Sequence, residues 1–313
     1  MNDFFHKQLS SWLDKRGISR KELIALLQSQ YHDEFGGLDS VTLSRWIKGH
    51  STPSTCKQLY IAKSLDVNIA DLITSVEFNN TKIPVKHSAV ISDLIKILDK
   101  TTSYLSYDVI TGEADIEIKT LNHSEYIEKF ANFDKNASAL KSYYKELYTL
   151  GNNISFSCIL IKNEHKNIIG HLSGIIDIRR MASFKSLSCI PREDFDKSCI
   201  IHLGKYTSSK HYFDLIYQVI CLHLLKYSAR FDKAYFFIPD FSAMILFCKI
   251  VLKAEVIKYF PPGEKSEIGV YLVAFDILRV IASPVIIHEV KSRLECVKNC
   301  DPKCTKCNLR CFL

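Results

Sequence analysis

The chain has 313 residues, 47% of them hydrophobic and 24% charged, with a formal net charge of +7. That length suits two domains better than one, and the composition is that of ordinary packed cores. No apolar run reaches the ~18 residues of a membrane-spanning helix, and the opening MNDFFHKQLSSW has no signal-peptide apolar core. A cytoplasmic protein with no membrane partner is therefore expected. The positive charge suits an anionic partner, and solubility alone accounts for it equally well.

Residues 3–15 place Phe4, Phe5, Leu9, Trp12 and Leu13 at helical spacing, and Gly17 ends that helix. Ser19 with Glu22 three residues on forms a capping box for a second helix through Leu23, Ile24, Leu26 and Leu27. Residues 31–38, with Gly36 and Gly37, read as a loop. Asp39 or Ser40 caps a third helix that stops at Gly49, and residues 55–65 and 69–74 supply two more. The stretch VTLSRWIKGHSTPS (41–54) combines small polar residues, one arginine and one tryptophan on an amphipathic turn, followed by a glycine stop and Thr52-Pro53.

That stretch resembles the recognition helix and following turn of the Cro/CI-type (XRE) helix-turn-helix regulators. LYIAKSLDVNIADL (59–72) resembles the same family's closing helix pair. The resemblance implies an all-α, five-helix DNA-binding domain over residues 1–78, with double-stranded DNA as partner. Carried over residue by residue, it puts Ser40, Val41, Thr42 and Arg45 in the major groove, with Arg45 on a guanine. It puts Arg20 and Lys48 against phosphates, and Leu43, Trp46 and Ile47 in the core. The family's tight turn between the second and third helices is expanded here over residues 28–38, an insertion expected to bulge away from DNA. Residues 1–78 balance nine Lys/Arg against nine Asp/Glu, so DNA affinity would have to come from local segregation of charge. A single copy would bind modestly, and a homodimer is expected.

Residues 79–110 form a linker. Val90, Ile91, Leu94, Ile95 and Leu98 lie at helical spacing within it; such a helix serves either to pair protomers or to pack on the following domain. Residues 111–280 then alternate in a definite order. A strand (115–121), helices at 124–133 and 137–150, and two strands (154–162, 168–178) meeting in a hairpin are followed by a strand at 198–203. A helix (212–227), a strand (233–238), a helix (241–252) and two strands (255–260, 268–275) complete the set.

This β-α-α-β-β-β-α-β-α-β-β order is similar to that of the GNAT acyltransferases, so a mixed α/β domain with acyl-CoA as ligand is implied. In that family the pyrophosphate sits on backbone N–H groups where a helix opens after the fourth strand. The equivalent segment is GKYTSSKHY (204–212), where Ser208, Ser209 and Lys210 replace the family's arginine or glutamine and paired glycines. These three are the candidate ligand-binding residues. The family's tyrosine acid is also replaced, with Phe247 or Cys248 in its neighbourhood. These departures favour a ligand-sensing or dimerising domain over an enzyme, with no catalytic residue assigned. Glu164 and His165 read as solvated turn residues, and His202 and His223 as satisfied core histidines.

Residues 281–313 begin with a helix at 285–294 and end in CVKNCDPKCTKCNLRC. Eleven cysteines is a high count, and five of them, Cys296, Cys300, Cys304, Cys307 and Cys311, crowd this tail. Their spacing brings several sulfurs within reach of one zinc ion or an iron–sulfur cluster, the alternative being a metal-free, redox-soft extension. The other cysteines sit mostly in apolar stretches and read as small core residues. The leading expectation is a sequence-specific transcriptional regulator whose GNAT-like domain senses a ligand or dimerises. The alternatives are an acyl-CoA-dependent N-acyltransferase with a DNA-targeting module, and a metal or thiol-redox sensor acting through the tail.

Overall fold

The structure is a computed structural model that describes residues 3–76, 83–103, 114–151, 154–263, 268–299 and 309. The described residues divide into two compact units. One comprises Met1–Lys82 with Ile281–Cys296, the other Ile83–Val280 with Val297–Leu313.

The first unit is built from short helices, each with a legible start and stop. α1 (Asp3–Arg16) buries Phe5, Leu9 and Leu13 and ends at Gly17, whose φ of +62° suits a residue without a Cβ. α2 (Arg20–Gln30) opens on a capping box. The Ser19 N–H donates to Glu22 Oε2 at 2.7 Å, and the Glu22 N–H donates to Ser19 Oγ at 3.3 Å. The segment expected as a loop folds into a further helix, α3 (His32–Phe35), because Phe35 buries edge-on against Tyr60, 6.4 Å between ring centroids. The unit therefore has six helices before residue 77 rather than five. α4 (Ser40–Ile47) is capped by Asp39, and α5 (Thr55–Ser64) and α6 (Ile69–Ser75) by Ser54 and Asn68. The late stretch Ile281–Cys296 joins this unit, with Lys291 Nζ donating to the Val76 carbonyl at 2.9 Å.

The second unit opens with α7 (Val85–Ser103). The chain then runs β1 (Asp115–Asn122), α8 (His123–Asn136), α9 (Lys141–Thr149), β2 (Ser155–Lys162), β3 (Ile168–Ile175), β4 (Ser198–Ile201) and α10 (Ser209–Leu222). It continues through β5 (Lys233–Pro239), α11 (Ser242–Leu246), β6 (Glu255–Phe260), β7 (Val270–Asp276) and α12 (Ile277–Ile281) to α13 (Pro284–Asn299), most of which belongs to the first unit. From β1 to β7 this is the element order that the acyltransferase resemblance implies, and the second unit has a mixed α/β fold. α7, read from the sequence as a linker helix that either pairs protomers or packs on the following domain, packs on α10 and α11.

The strands form one sheet in the order β1-β2-β3-β4-β5-β7-β6. Among the described strands β4 and β5 are the parallel pair, and every other pairing is antiparallel. A parallel pair needs a long crossover, and α10 supplies it. Helices cover both faces, so β2 to β5 read as nearly unbroken apolar runs rather than alternating ones. Tyr126, Phe130, Tyr143 and Leu147 of α8 and α9 share a core with Phe156, Ile175, Tyr235 and Phe237 of the sheet.

Gly174 of β3 lies so close to β4 that a Cβ there would sit 2.8 Å from the Ile200 carbonyl oxygen. Gly174→Ala should therefore prise β3 from β4 and cost about 2 kcal/mol, within the range of an overpacked core; urea unfolding of the full chain checks this.

Candidate functional site

Parallel pairing of β4 and β5 runs from Ser198 opposite Lys233 to Ile201 opposite Phe236 and then stops. Beyond Ile201 the chain stays with β3. The His202 N–H donates to the Ser173 carbonyl at 2.8 Å, and Lys205 and His171 exchange backbone hydrogen bonds at 2.8 and 3.0 Å. β5 meanwhile continues along β7 through Pro239. The strands thus part, and a cleft opens between them, lined by Gly204, Tyr206, Tyr212, Phe237, Ile238 and Met244. Aromatic and thioether side chains fill most of it, with the Tyr212 hydroxyl 3.2 Å from Met244 Sδ, and the remaining cavity is about 10 Å³.

α10 begins beside this cleft, and its N-terminus presents hydrogen-bond donors. Ser208 is the N-cap, its Oγ accepting from the His211 N–H at 3.2 Å. Ser209, the first helical residue, donates its backbone N–H to Asp99 Oδ1 at 2.7 Å and its Oγ–H to Asp99 Oδ2 at 2.9 Å. The donor set therefore suits an anion, and in this conformation the anion is the chain's own Asp99 carboxylate. Lys205 and Lys210 are exposed on either side in sequence. Of the three residues singled out beforehand, Ser208 serves its own helix, Ser209 makes the anion contact, and Lys210 faces solvent. Asp99 escaped sequence reading because it lies 110 residues from Ser209 on an exposed helix position with no local signature.

A second polar group lies under α8 and α9. His202, the residue after β4, is fully buried, with Nε2 2.7 Å from the Tyr143 hydroxyl and Nδ1 3.2 Å from Tyr126 and 3.3 Å from Ser173 Oγ. Burial pushes its pKa down to about 3, so the ring is neutral near pH 7 and one nitrogen donates while the other accepts. Asp134 accepts from Tyr148 at 2.8 Å and more weakly from Tyr126 at 3.5 Å, and burial pushes its carboxyl up to about 6. The core-histidine reading of His202 matches this placement. Tyr126, Tyr143 and Asp134 were not singled out, since an aromatic at helical spacing looks the same whether or not its hydroxyl has a buried partner.

The other candidates stand apart from this region. Glu164 and His165 are exposed in the β2–β3 turn, 3.6 Å from each other. Phe247 and Cys248 are fully buried, and burial pushes the Cys248 thiol up to about 12. Cys296 is exposed on α13, while Cys300, Cys304, Cys307 and Cys311 lie outside the described residues. Among the described residues no group of three or more His, Cys, Asp or Glu is arranged to hold a metal, and no helix is long and apolar enough to cross a membrane.

No family profile and no curated protein matches this chain. Solved structures do. An Arabidopsis thaliana NAA60 in complex with acetyl-CoA matches at 12% identity and a TM-score of 0.35, over 52% of this chain and 98% of its own. The Vibrio cholerae spermidine N-acetyltransferase with CoA and spermine matches at 10% and 0.33, over 53% and 98%. A putative phosphinothricin N-acetyltransferase matches at 10% and 0.32, over 52% and 98%.

These findings correct the DNA-binding and transcription-regulation reading. The matched structures named are acetyltransferases over about half of this chain. Asp39 caps α4 with an exposed carboxylate 2.6 Å from the Thr42 N–H, and hydrogen bonds from the Thr42 backbone hold its pKa below the usual value. Arg20, Ser40, Val41, Arg45 and Lys48 are exposed and Thr42 half-buried, as surface positions of a helical unit.

Asp134 has a folded pKa raised above its unfolded value, so the folded state holds the extra proton between pH ~4 and ~6. Its contribution to stability is full below the unfolded pKa and is lost as pH rises through about 6. Asp134→Asn removes this dependence. The stability of wild type relative to the variant should fall by on the order of 2 kcal/mol between pH 4 and 7.5, read from denaturant midpoints at both pH values.

Proposed function

We propose that the second unit is an acyl-CoA-dependent N-acyltransferase domain: it binds an acyl-CoA along the β4–β5 cleft and passes the acyl group to an amine. One observation carries the reading. The parallel pair parts beside a helix N-terminus whose donors already hold an anion, so the place where a long phosphorylated thioester would enter and the place where its phosphates would rest adjoin. Such crevices beyond the carboxyl ends of parallel strands are where α/β sheets bind ligands. The Ser209 N–H and hydroxyl would hold a phosphate oxygen, with Lys205 and Lys210 supplying charge.

A bound acyl-CoA supplies an activated carbonyl; the chain's task is to hold it and keep water away. The residues fit the group in donor chemistry, since an anion is seated at Ser209. In space they do not fit it in this conformation, where about 10 Å³ is open. Phe247 has no proton to give, and the Cys248 thiol is fully buried, so no side chain is assigned to protonate the leaving thiolate. Supporters of the reading are the element order of the unit and the position of the cleft.

The test is calorimetry of the full chain with acetyl-CoA, and thiol release with a panel of primary amines. Reversing both flanking charges, Lys205→Glu with Lys210→Glu, should weaken binding by about tenfold or more and flatten its salt dependence. Binding unaltered by the double reversal would remove the phosphates from this helix end, and thiol release no faster with amines than without them would rule out transfer.

A further inference from the structure

Resting on the acyl-CoA reading of the second unit, we propose that helix α7 is a built-in cover for the anion site: Asp99 occupies the α10 N-terminus, and a phosphorylated ligand seats only when α7 shifts. The contact has the form an incoming phosphate would need. Two oxygens of one anionic group take two donors of one residue, Ser209 N–H at 2.7 Å and Ser209 Oγ–H at 2.9 Å. A helix N-terminus favours negative charge whatever its source, so a carboxylate held there excludes a phosphate from the same donors.

α7 is held by a narrow apolar stripe: among its described side chains Leu94 and Leu98 are buried, and Val90, Ile91, Ile95 and Ile97 half-buried. Asp99 lies on the exposed side of that stripe. α7 also packs against α11 and its continuation, Phe247–Val251. α10 carries Tyr212 and α11 carries Met244, the pair that closes the cleft. Movement of this one helix therefore bears on both obstacles at once, the seated carboxylate and the filled cleft. Once Asp99 withdraws, Lys205 and Lys210 remain with no carboxylate at Ser209, and a phosphate brings more charge to the same donors than a carboxylate does.

The apparent affinity of a covered site falls by the fraction of molecules that are open. Asp99→Ala in the full chain should therefore bind CoA at least about tenfold more tightly than wild type by calorimetry, with Asp99→Asn, which keeps the side chain's size, intermediate or equal. Adding Ser209→Pro to Asp99→Ala should reverse the gain: proline is tolerated at the first helical position and removes both donors. In wild type, saturating CoA should speed hydrogen exchange of the α7 amides. Inorganic pyrophosphate serves as the second probe. Tighter pyrophosphate binding by Asp99→Ala without any CoA binding keeps the cover and sinks the acyl-CoA reading. Equal CoA affinity in wild type and Asp99→Ala, or unchanged α7 exchange with CoA bound, sinks the cover and leaves the reading standing. If neither protein takes either probe, both fall.

Discussion

The second unit depends on one conflict of pairing: after Ile201 the chain cannot stay with both β3 and β5. It stays with β3, through the His202 N–H on Ser173 and the paired backbones of Lys205 and His171, while β5 stays with β7. Glycine makes the first choice possible. A Cβ on Gly174 would meet the Ile200 carbonyl oxygen at 2.8 Å, and one on Gly204 would come within 2.8 Å of Leu172 Cδ1 and 3.0 Å of the His171 carbonyl oxygen. The close approach of β3 to the outgoing chain leaves a gap on the β5 side, and that gap is the cleft. α10 starts where it does because Ser208 then caps it at the end of this diverging segment.

The parting is held by buried polar contacts. His202 follows the last paired residue of β4, and its two ring nitrogens are taken by tyrosines from α8 and α9. Inside a protein such hydrogen bonds are strong when complete and costly when broken, so the network fixes the direction in which the chain leaves β4. Asp134 belongs to the same group through Tyr126 and Tyr148. The helices that bury one face of the sheet thus also position the rim of the cleft on its other side.

A long-range carboxylate rests at the helix end beside that cleft. The Asp99–Ser209 contact satisfies a helix end that would otherwise be left to water, and it places α7 over the elements that wall the cleft. In the proposed reading the cleft is shut because Asp99 and a ligand phosphate compete for the same donors, and occupancy follows their relative free energies.

Much of this was legible in the sequence where the determinants are local. Apolar spacing and caps marked nearly every helix: the Ser19–Glu22 capping box, the helix stop at Gly17, and the succession of strands and helices along the chain from β1 to β7 follow from short-range stereochemistry and from which residues must be buried. Local pattern also misled. A short amphipathic helix with one arginine and one tryptophan is a common way to bury a tryptophan, and residues 41–54 carry no signal that separates that role from groove reading. The same limit hid Phe35, whose burial depends on Tyr60. Only the tertiary structure decided that α7 belongs with the sheet, that His202 lies between Tyr126 and Tyr143, and that Asp99 rests on Ser209. The last two join residues 59 to 110 positions apart, and at such separations the partner is chosen by where the folded chain brings the donors, which neither periodicity nor composition records.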